Sequence, residues 1–257
     1  MLADFHNHSC LSPCGSLDLS PSVLVQAAAA KRIKIMALTD HNSSLNCRAF
    51  SCHCKRLNII PVYGLEVTTA EEIHMLALFA NLDEAEDFGE FIYSIITPFL
   101  NNPERTGDQV YVDEDDNILG EVEYFLVNAA GISVDALGAK ASEYNGIVIP
   151  AHIDRPAFSM TSQLGAAVQG PWAAIECVRV PPLSKFGDLY SPLLDTLNFP
   201  LITGSDAHYP EHVGRRPFEL DAAVEELIPN GPEKDMDINA LKTALQKRPR
   251  SADFEHK

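Results

Sequence analysis

Six of the nine histidines in this 257-residue chain fall where chemistry can use them. His6 and His8 flank Asn7 in "DFHNHSCLSPCG", Asp40 and His41 close "IKIMALTDH", and Glu66 follows "IIPVYGL". His152 and Asp154 follow "GIVIPA", Asp206 and His208 close "PLITGSDAH", and His74 stands just inside the start of "IHMLALFA". Taken singly, a histidine beside an apolar run reads as a hydrogen-bonded core or surface residue, and an aspartate at such a boundary as a turn former or helix cap. Taken together, six imidazoles, a glutamate and an aspartate buried near one another would carry a large desolvation penalty, which metal coordination relieves. Imidazole with carboxylate suits zinc, manganese or iron, and a carboxylate such as Glu66 can bridge two ions. The set is too rich for one ion, so two or three divalent ions are expected. They would make a locally cationic mouth suited to an anionic substrate.

These residues are scattered over 200 positions and need elements that bring them together. The runs "ADFHNH", "IKIMALTDH", "IIPVYGLEVTT", "IHMLALFA", "GIVIPAHID", "AAIECVRV" and "PLITGSDAH" read as buried strands. Helix patterns lie between them at 20–32 (Ser20 as N-cap, Pro21 at the first position), 43–57, 83–97, 133–145 and 238–247. The alternation predicts an α/β fold, either a parallel barrel or a doubly wound sheet, and in a barrel the strand ends converge on one mouth. The polar stretch 101–123 reads as a small hairpin turning at Asp115, Asp116 and Asn117. It holds too few apolar residues for a core of its own, so it is an insertion in one domain spanning 1–257. The stretch 208–236 reads as loop with a short strand near "PFEL".

The chain carries 36 acidic and 19 basic residues, a formal charge of -17, which argues against a long nucleic acid or an anionic membrane as main partner. The start "MLADFHNHS" lacks the pattern of a signal peptide and no segment approaches a membrane span, so a cytoplasmic protein is expected. Six cysteines (10, 14, 47, 52, 54, 177) are then free or metal-binding thiols. The cluster "CRAFSCHC" (Cys47, Cys52, His53, Cys54) matches no common zinc spacing and falls on a predicted helix, so it reads as helix core.

The motifs "HNH" (6–8), "LTDHN" (38–42), "GLE" (64–66) followed by His74, "PAH" (150–152) and "GSDAH" (204–208) occur in order from residue 4 to about 220. Together they resemble the polymerase and histidinol phosphatase family, the PHP domain of metal-dependent phosphoesterases. The resemblance implies a distorted seven-stranded (β/α) TIM-like barrel with a trinuclear metal centre that hydrolyses phosphate esters with a hydroxide generated at the ions. Carried over by residue, it implies that His6, His8, Glu66 and Asp206 hold one ion, that Glu66, His74 and His152 hold a second, and that His41 and His208 hold a third with a residue from the loop after His8. That loop departs from the pattern: many members have Asp or His where this chain reads "HSCLSPCG". Three readings follow: Cys14 as a thiolate ligand of the third ion, which is the favoured one because a metal lowers the thiol pKa, Asp18 reaching in, or a weak or empty third site.

Among the remaining candidates, Asp40 is read as orienting a metal-bound histidine or accepting a proton, and His208 or Asp154 as protonating the leaving alkoxide. Arg155 is the foremost phosphate clamp because guanidinium matches two phosphoryl oxygens, with Arg179, Lys185, Arg215 and Arg216 behind it. The expected substrate is a small phosphate ester such as a nucleotide or sugar phosphate. Cleavage of a C–N bond and a non-catalytic metal-stabilised module are the alternatives. The insertion reads as a possible lid, and oligomeric state is left open.

Overall fold

Strand alternation organises the core. The computed structural model describes residues 1–178, 199–229, 231 and 235–249. Five strands lie in the order β1 (Leu2–Asp4), β2 (Ile35–Leu38), β3 (Ile60–Thr68), β4 (His74–Phe79) and β7 (Ile147–Pro150), with β10 (Phe218–Glu219) on the outer edge of β1. The short pair β8 (Ile175–Glu176) and β9 (Leu201–Ile202) is parallel. Single bridges, Val148 to Trp172 and Asn7 to Ala207, link this pair to β7 and to the end of β1 and so join the sheets into a seven-stranded ring.

Successive residues sort to opposite faces, as the period of two requires. Ala3, Ile35, Ala37, Val62, Leu76, Leu78, Ile149 and Ile202 share one buried cluster inside the ring. Met36, Leu38, Tyr63, Leu65, Met75, Ala77 and Val148 share another, packed on the surrounding helices. Those helices are α1 (Pro21–Ala30), α2 (Cys47–Arg56), α3 (Leu82–Ile95) and α5 (Val134–Glu143). Their starts are set by side chains that accept otherwise unmade N–H bonds: Ser20 from Val23, Asn81 from Asp83 and Glu84, Ser133 from Ala136. Leu227 of α7 (Val224–Leu227) and Leu241 and Leu245 of α8 (Ile238–Gln246) join the inner cluster. Two short helices, α4 (Pro103–Thr106) and α6 (Met160–Leu164), carry too few turns to show a periodic pattern.

The α/β barrel-like architecture agrees with the sequence reading, with one correction. β4 runs antiparallel to both β3 and β7, so the sheet is not wholly parallel. Reversal places the start of β4 beside the end of β3, with His74 opposite Thr68. His74 therefore reaches the same mouth as residues at the ends of the other strands. The 110–121 segment forms the hairpin β5 (Val110–Val112) and β6 (Ile118–Glu121), whose strands pair only with each other and turn through Asp116 at φ 62°.

Candidate metal centre

Glu66 is the hub. The alternation of β3 turns it to the inner face, beyond Ile60 and Val62, where it is 1% exposed. Its Oε1 lies 3.2 Å from His6 Nε2, 2.9 Å from His74 Nδ1 and 3.0 Å from His152 Nε2. Its Oε2 lies 3.1 Å from His41 Nδ1 and 3.4 Å from His8 Nε2. Asp206 Oδ1 is 3.4 Å from His6 Nε2 and 3.3 Å from His8 Nε2, and those two nitrogens are 3.3 Å apart. His208 stacks on His8 with ring centroids 4.3 Å apart.

The residues fit divalent ions on two observations. First, ligands at about 2.0–2.1 Å on a tetrahedron stand about 3.3–3.4 Å apart, the spacing found among His6 Nε2, His8 Nε2 and Asp206 Oδ1. Second, the buried His41 Nδ1 and His74 Nδ1 stand 3.1 and 2.9 Å from Glu66 without hydrogen-bond geometry, and His74 Nε2 has no partner among the described residues, which is costly unless an ion takes up the lone pairs. Four groups of donor atoms lie close enough to share an ion: His6, His8 and Asp206; His6, Glu66 and His152; His41, Glu66 and His74; and His8, His41 and His208.

Backbone strain aims two of these side chains. Ile149 and Ala151 face inward, so simple alternation would turn His152 outward; its φ of 28° breaks the alternation. Asp206 has φ 47°. Left-handed conformations at residues other than glycine persist where the surroundings enforce them, commonly at functional sites. Around Asp206 the enforcement is visible: Asp4 accepts from the Ser205 and Gly214 N–H groups, Arg215 donates to the Ser205 and Asp206 carbonyls, and Arg216 to those of Gly204 and Ser205. Both arginines thus brace the 204–206 turn.

Carboxylates behind the histidines set their tautomers. Ser12 donates its one hydroxyl proton to Asp40 at 2.7 Å, so its oxygen accepts from His8 Nδ1 at 2.9 Å and leaves Nε2 facing the centre. Asp40 also accepts from the Ser9 N–H and hydroxyl. Its carboxylate acts on His8 through Ser12, and its carbonyl accepts from the Glu66 N–H at 3.0 Å. Glu176, absent from the sequence reading, holds His6 Nδ1 at 2.9 Å. A glutamate inside the apolar run "AAIEC", as in "YGLEV", was the available signal.

Burial disfavours charge on every group here, and the neighbours decide the outcome. Burial raises the Glu66 carboxyl, but His74, His6 and His41 outweigh it and hold the pKa well below the ordinary value. Asp206 is likewise held low against burial by His6 and His8. Burial would lower His6, yet Glu176, Glu66 and Asp206 raise it well above 6.5. Burial and His208 push His8 down to about 4, and burial also lowers His41 and His152. At His8, His41 and His152 this leaves a neutral imidazole beside an ionised carboxylate, the state a metal ion requires, whereas an ion at His6 displaces a proton.

The other candidates lie around this cluster. Arg155 pairs with Asp206 from a position 35% exposed. His208 is 21% exposed, with Nδ1 3.1 Å from the Asp206 carbonyl. Asp154 accepts from the Val178 N–H at 2.7 Å. Cys14 and Asp18 are exposed and belong to none of the four groups. Arg179 and Lys185 lie outside the described residues. In "CRAFSCHC", Cys47 and Cys54 are buried in the helix-side cluster, Cys52 is half-buried, and His53 faces Asp116.

Comparison with known proteins gives this arrangement a family. The PHP domain model matches residues 4–152, more than half of the chain. No curated protein matches by sequence. Among solved structures, the lesion-specific endonuclease Q of Pyrococcus furiosus superposes with TM-score 0.58 at 16% identity, covering 91% of this chain and 57% of that one. The chain therefore spans little more than half of that enzyme's length. An amidohydrolase from Chromobacterium violaceum, solved with sulfate and without metal, gives TM-score 0.53 at 18% identity, over 84% of this chain and 91% of that one. A protein from Bifidobacterium adolescentis, provisionally assigned as a metal-dependent phosphoesterase, gives 0.53 at 16%, over 96% of each. At these identities the likeness establishes the barrel fold. No described helix is long and apolar enough to cross a membrane. With five motifs in register and the family model spanning the first four of them, the chain belongs to the PHP domain family.

Proposed function

We propose that this protein hydrolyses a small phosphate ester at two or three divalent ions. The supporting observation is the convergence of six histidines, Glu66 and Asp206 on one mouth with the Arg155 guanidinium at its edge. His6 Nε2 and His8 Nε2 each serve one ion, because Glu176 and Ser12 occupy the other ring nitrogens. On the family resemblance, both would join Asp206 and Glu66 around one ion, Glu66, His74 and His152 would hold a second, and His41 and His208 would serve a third. Zinc, manganese and iron all suit this donor set. When bound, the ions supply Lewis acidity toward phosphoryl oxygens and make water a nucleophile at neutral pH.

The chain's own groups do the rest. Arg155, half in solvent, can leave Asp206 for two phosphoryl oxygens and orient the ester. Asp154, anchored to the Val178 N–H, or a His208 not engaged by an ion, would protonate the leaving alkoxide. Asp40 holds His8 in its metal-binding tautomer through Ser12. We read 1–257 as one domain with the 101–123 hairpin inserted beside the barrel, and place it in the cytoplasm.

The likeness to endonuclease Q raises a DNA substrate, and the charge of -17 opposes a long polyanion. Metal-reconstituted protein assayed against phosphomonoesters, dinucleotides, abasic-site duplex DNA and amides decides among these. Turnover of small phosphate esters is expected. Turnover confined to DNA or to amides refutes the assignment.

A further inference from the structure

We propose that Glu176 is a positioning residue of the metal centre: its carboxylate fixes the His6 ring and holds the His152 backbone, so that His6 Nε2 and the His152 ring meet around Glu66. This rests on the ligand reading above and deepens it by making metal affinity depend on Glu176.

Glu176 ends β8 on the inner face and is 1% exposed. A buried carboxylate must be compensated, and among the described residues the hydrogen bonds its side chain accepts come from two candidate ligand residues. His6 Nδ1 donates at 2.9 Å to Oε2, with Oε1 at 3.2 Å, and the His152 N–H donates to Oε1 at 3.3 Å. The Glu176 carbonyl also accepts from the Ile153 N–H at 2.9 Å, so side chain and backbone together pin the strained turn at His152. A carboxylate is an acceptor only. Nδ1 of His6 therefore carries the proton once Nε2 binds an ion, and the ring gains basicity, as in carboxylate–histidine–metal arrangements.

Gly204 shows that space is kept for this pair. A Cβ there would stand 2.5 Å from Glu176 Oε2 and 2.7 Å from His6 Cβ. Its φ lies outside the left-handed range, so this glycine of "GSDAH" answers to the close approach of an imidazole and a carboxylate.

The test compares wild type, Glu176→Gln and Glu176→Ala by zinc titration calorimetry and metal content, with 15N-detected histidine NMR on the zinc-loaded protein and thermal melts on the metal-free protein. Wild type is expected to show a protected His6 Nδ1–H resonance. Glu176→Ala should lose 10–100-fold in zinc affinity at the ion bound by His6, with the protected resonance gone, and Glu176→Gln, which keeps an acceptor without the charge, should fall between. Should Glu176→Ala fail to fold, the near-isosteric Gln variant decides. Unchanged zinc affinity and an unchanged Nδ1–H signal in Glu176→Gln overturn the proposal, even where its melting point drops. Wild type that binds no zinc, manganese or iron overturns the ligand reading instead.

Discussion

The decisive perturbation is Glu66→Gln, because one side chain stands at the centre of five histidines. An ion present at about 100 times its dissociation constant stabilises the folded state by about 2.7 kcal/mol, so two ions add about 5 kcal/mol. With an unfolding entropy of about 2.1 cal/mol/K per residue, a chain of 257 residues shifts by about 2 °C per kcal/mol, and metal should raise the wild-type midpoint by about 10 °C. Glu66 belongs to two of the four donor groups, and the remaining two both require His8 Nε2, since Ser12 holds Nδ1. One nitrogen serves one ion, so the variant can fill at most one of them. The expected result is the loss of at least one bound ion by elemental analysis and a metal-induced shift cut to about 5 °C or less. Calorimetric melts of stripped and reloaded protein read the shift directly. A variant that keeps the wild-type metal content and the full shift refutes the shared-carboxylate reasoning.

Other perturbations separate the supporting parts. Ser12→Ala cuts the relay from Asp40 to His8 and should lower affinity for the ion held by His8 about 10-fold, while leaving Asp40 with its Ser9 bonds; equal affinity by competition with a chelator would dismiss the relay. Arg155→Ala should raise KM or lower kcat for phosphate esters without changing metal content, and unchanged kinetics remove it from the site. In the metal-free protein the depressed His8 pKa of about 4 contributes stability that is present above pH 6.5 and lost as pH falls from 6.5 toward 4, about 3 kcal/mol from this residue. His41 and His152 act in the same direction, whereas the raised His6 contributes only below its own elevated pKa and does not offset the loss. A urea midpoint that stays flat between pH 7 and 4.5 would contradict this. Cys14→Ala tests the departure in the first loop: if Cys14 is a ligand, the variant loses affinity for one ion, and an unchanged ion count at unchanged affinity excludes it.

Much of the architecture was legible because strongly periodic segments announce themselves. The helices expected at 20–32, 83–97 and 133–145 form at Pro21–Ala30, Leu82–Ile95 and Val134–Glu143, where caps and apolar spacing agree. The reversal of β4 was hidden, since an apolar run reads the same in either direction and only pairing fixes its sense. The candidate ligands were visible as types at strand ends, yet which ones share an ion depends on how the ring closes. Glu176 was missed because a single acid in a strand resembles any half-buried position until His6 is seen across from it. Arg215 and Arg216 look like anion binders in the sequence, while in the fold their guanidinium groups satisfy carbonyls of the 204–206 turn.

The left-handed backbone at Asp206 constrains how this centre can change over time. Among residues with side chains, aspartate, asparagine and histidine are the ones enriched in that conformation. Exchange of Asp206 for glutamate, which in a relaxed backbone would merely lengthen the carboxylate, here also loads the turn with about 1 kcal/mol or more of strain. At position 66, within a regular strand, no such filter operates. Ligand drift should therefore be easier at the barrel strands than at the turns that cap them, so the two ends of one metal site evolve under different rules.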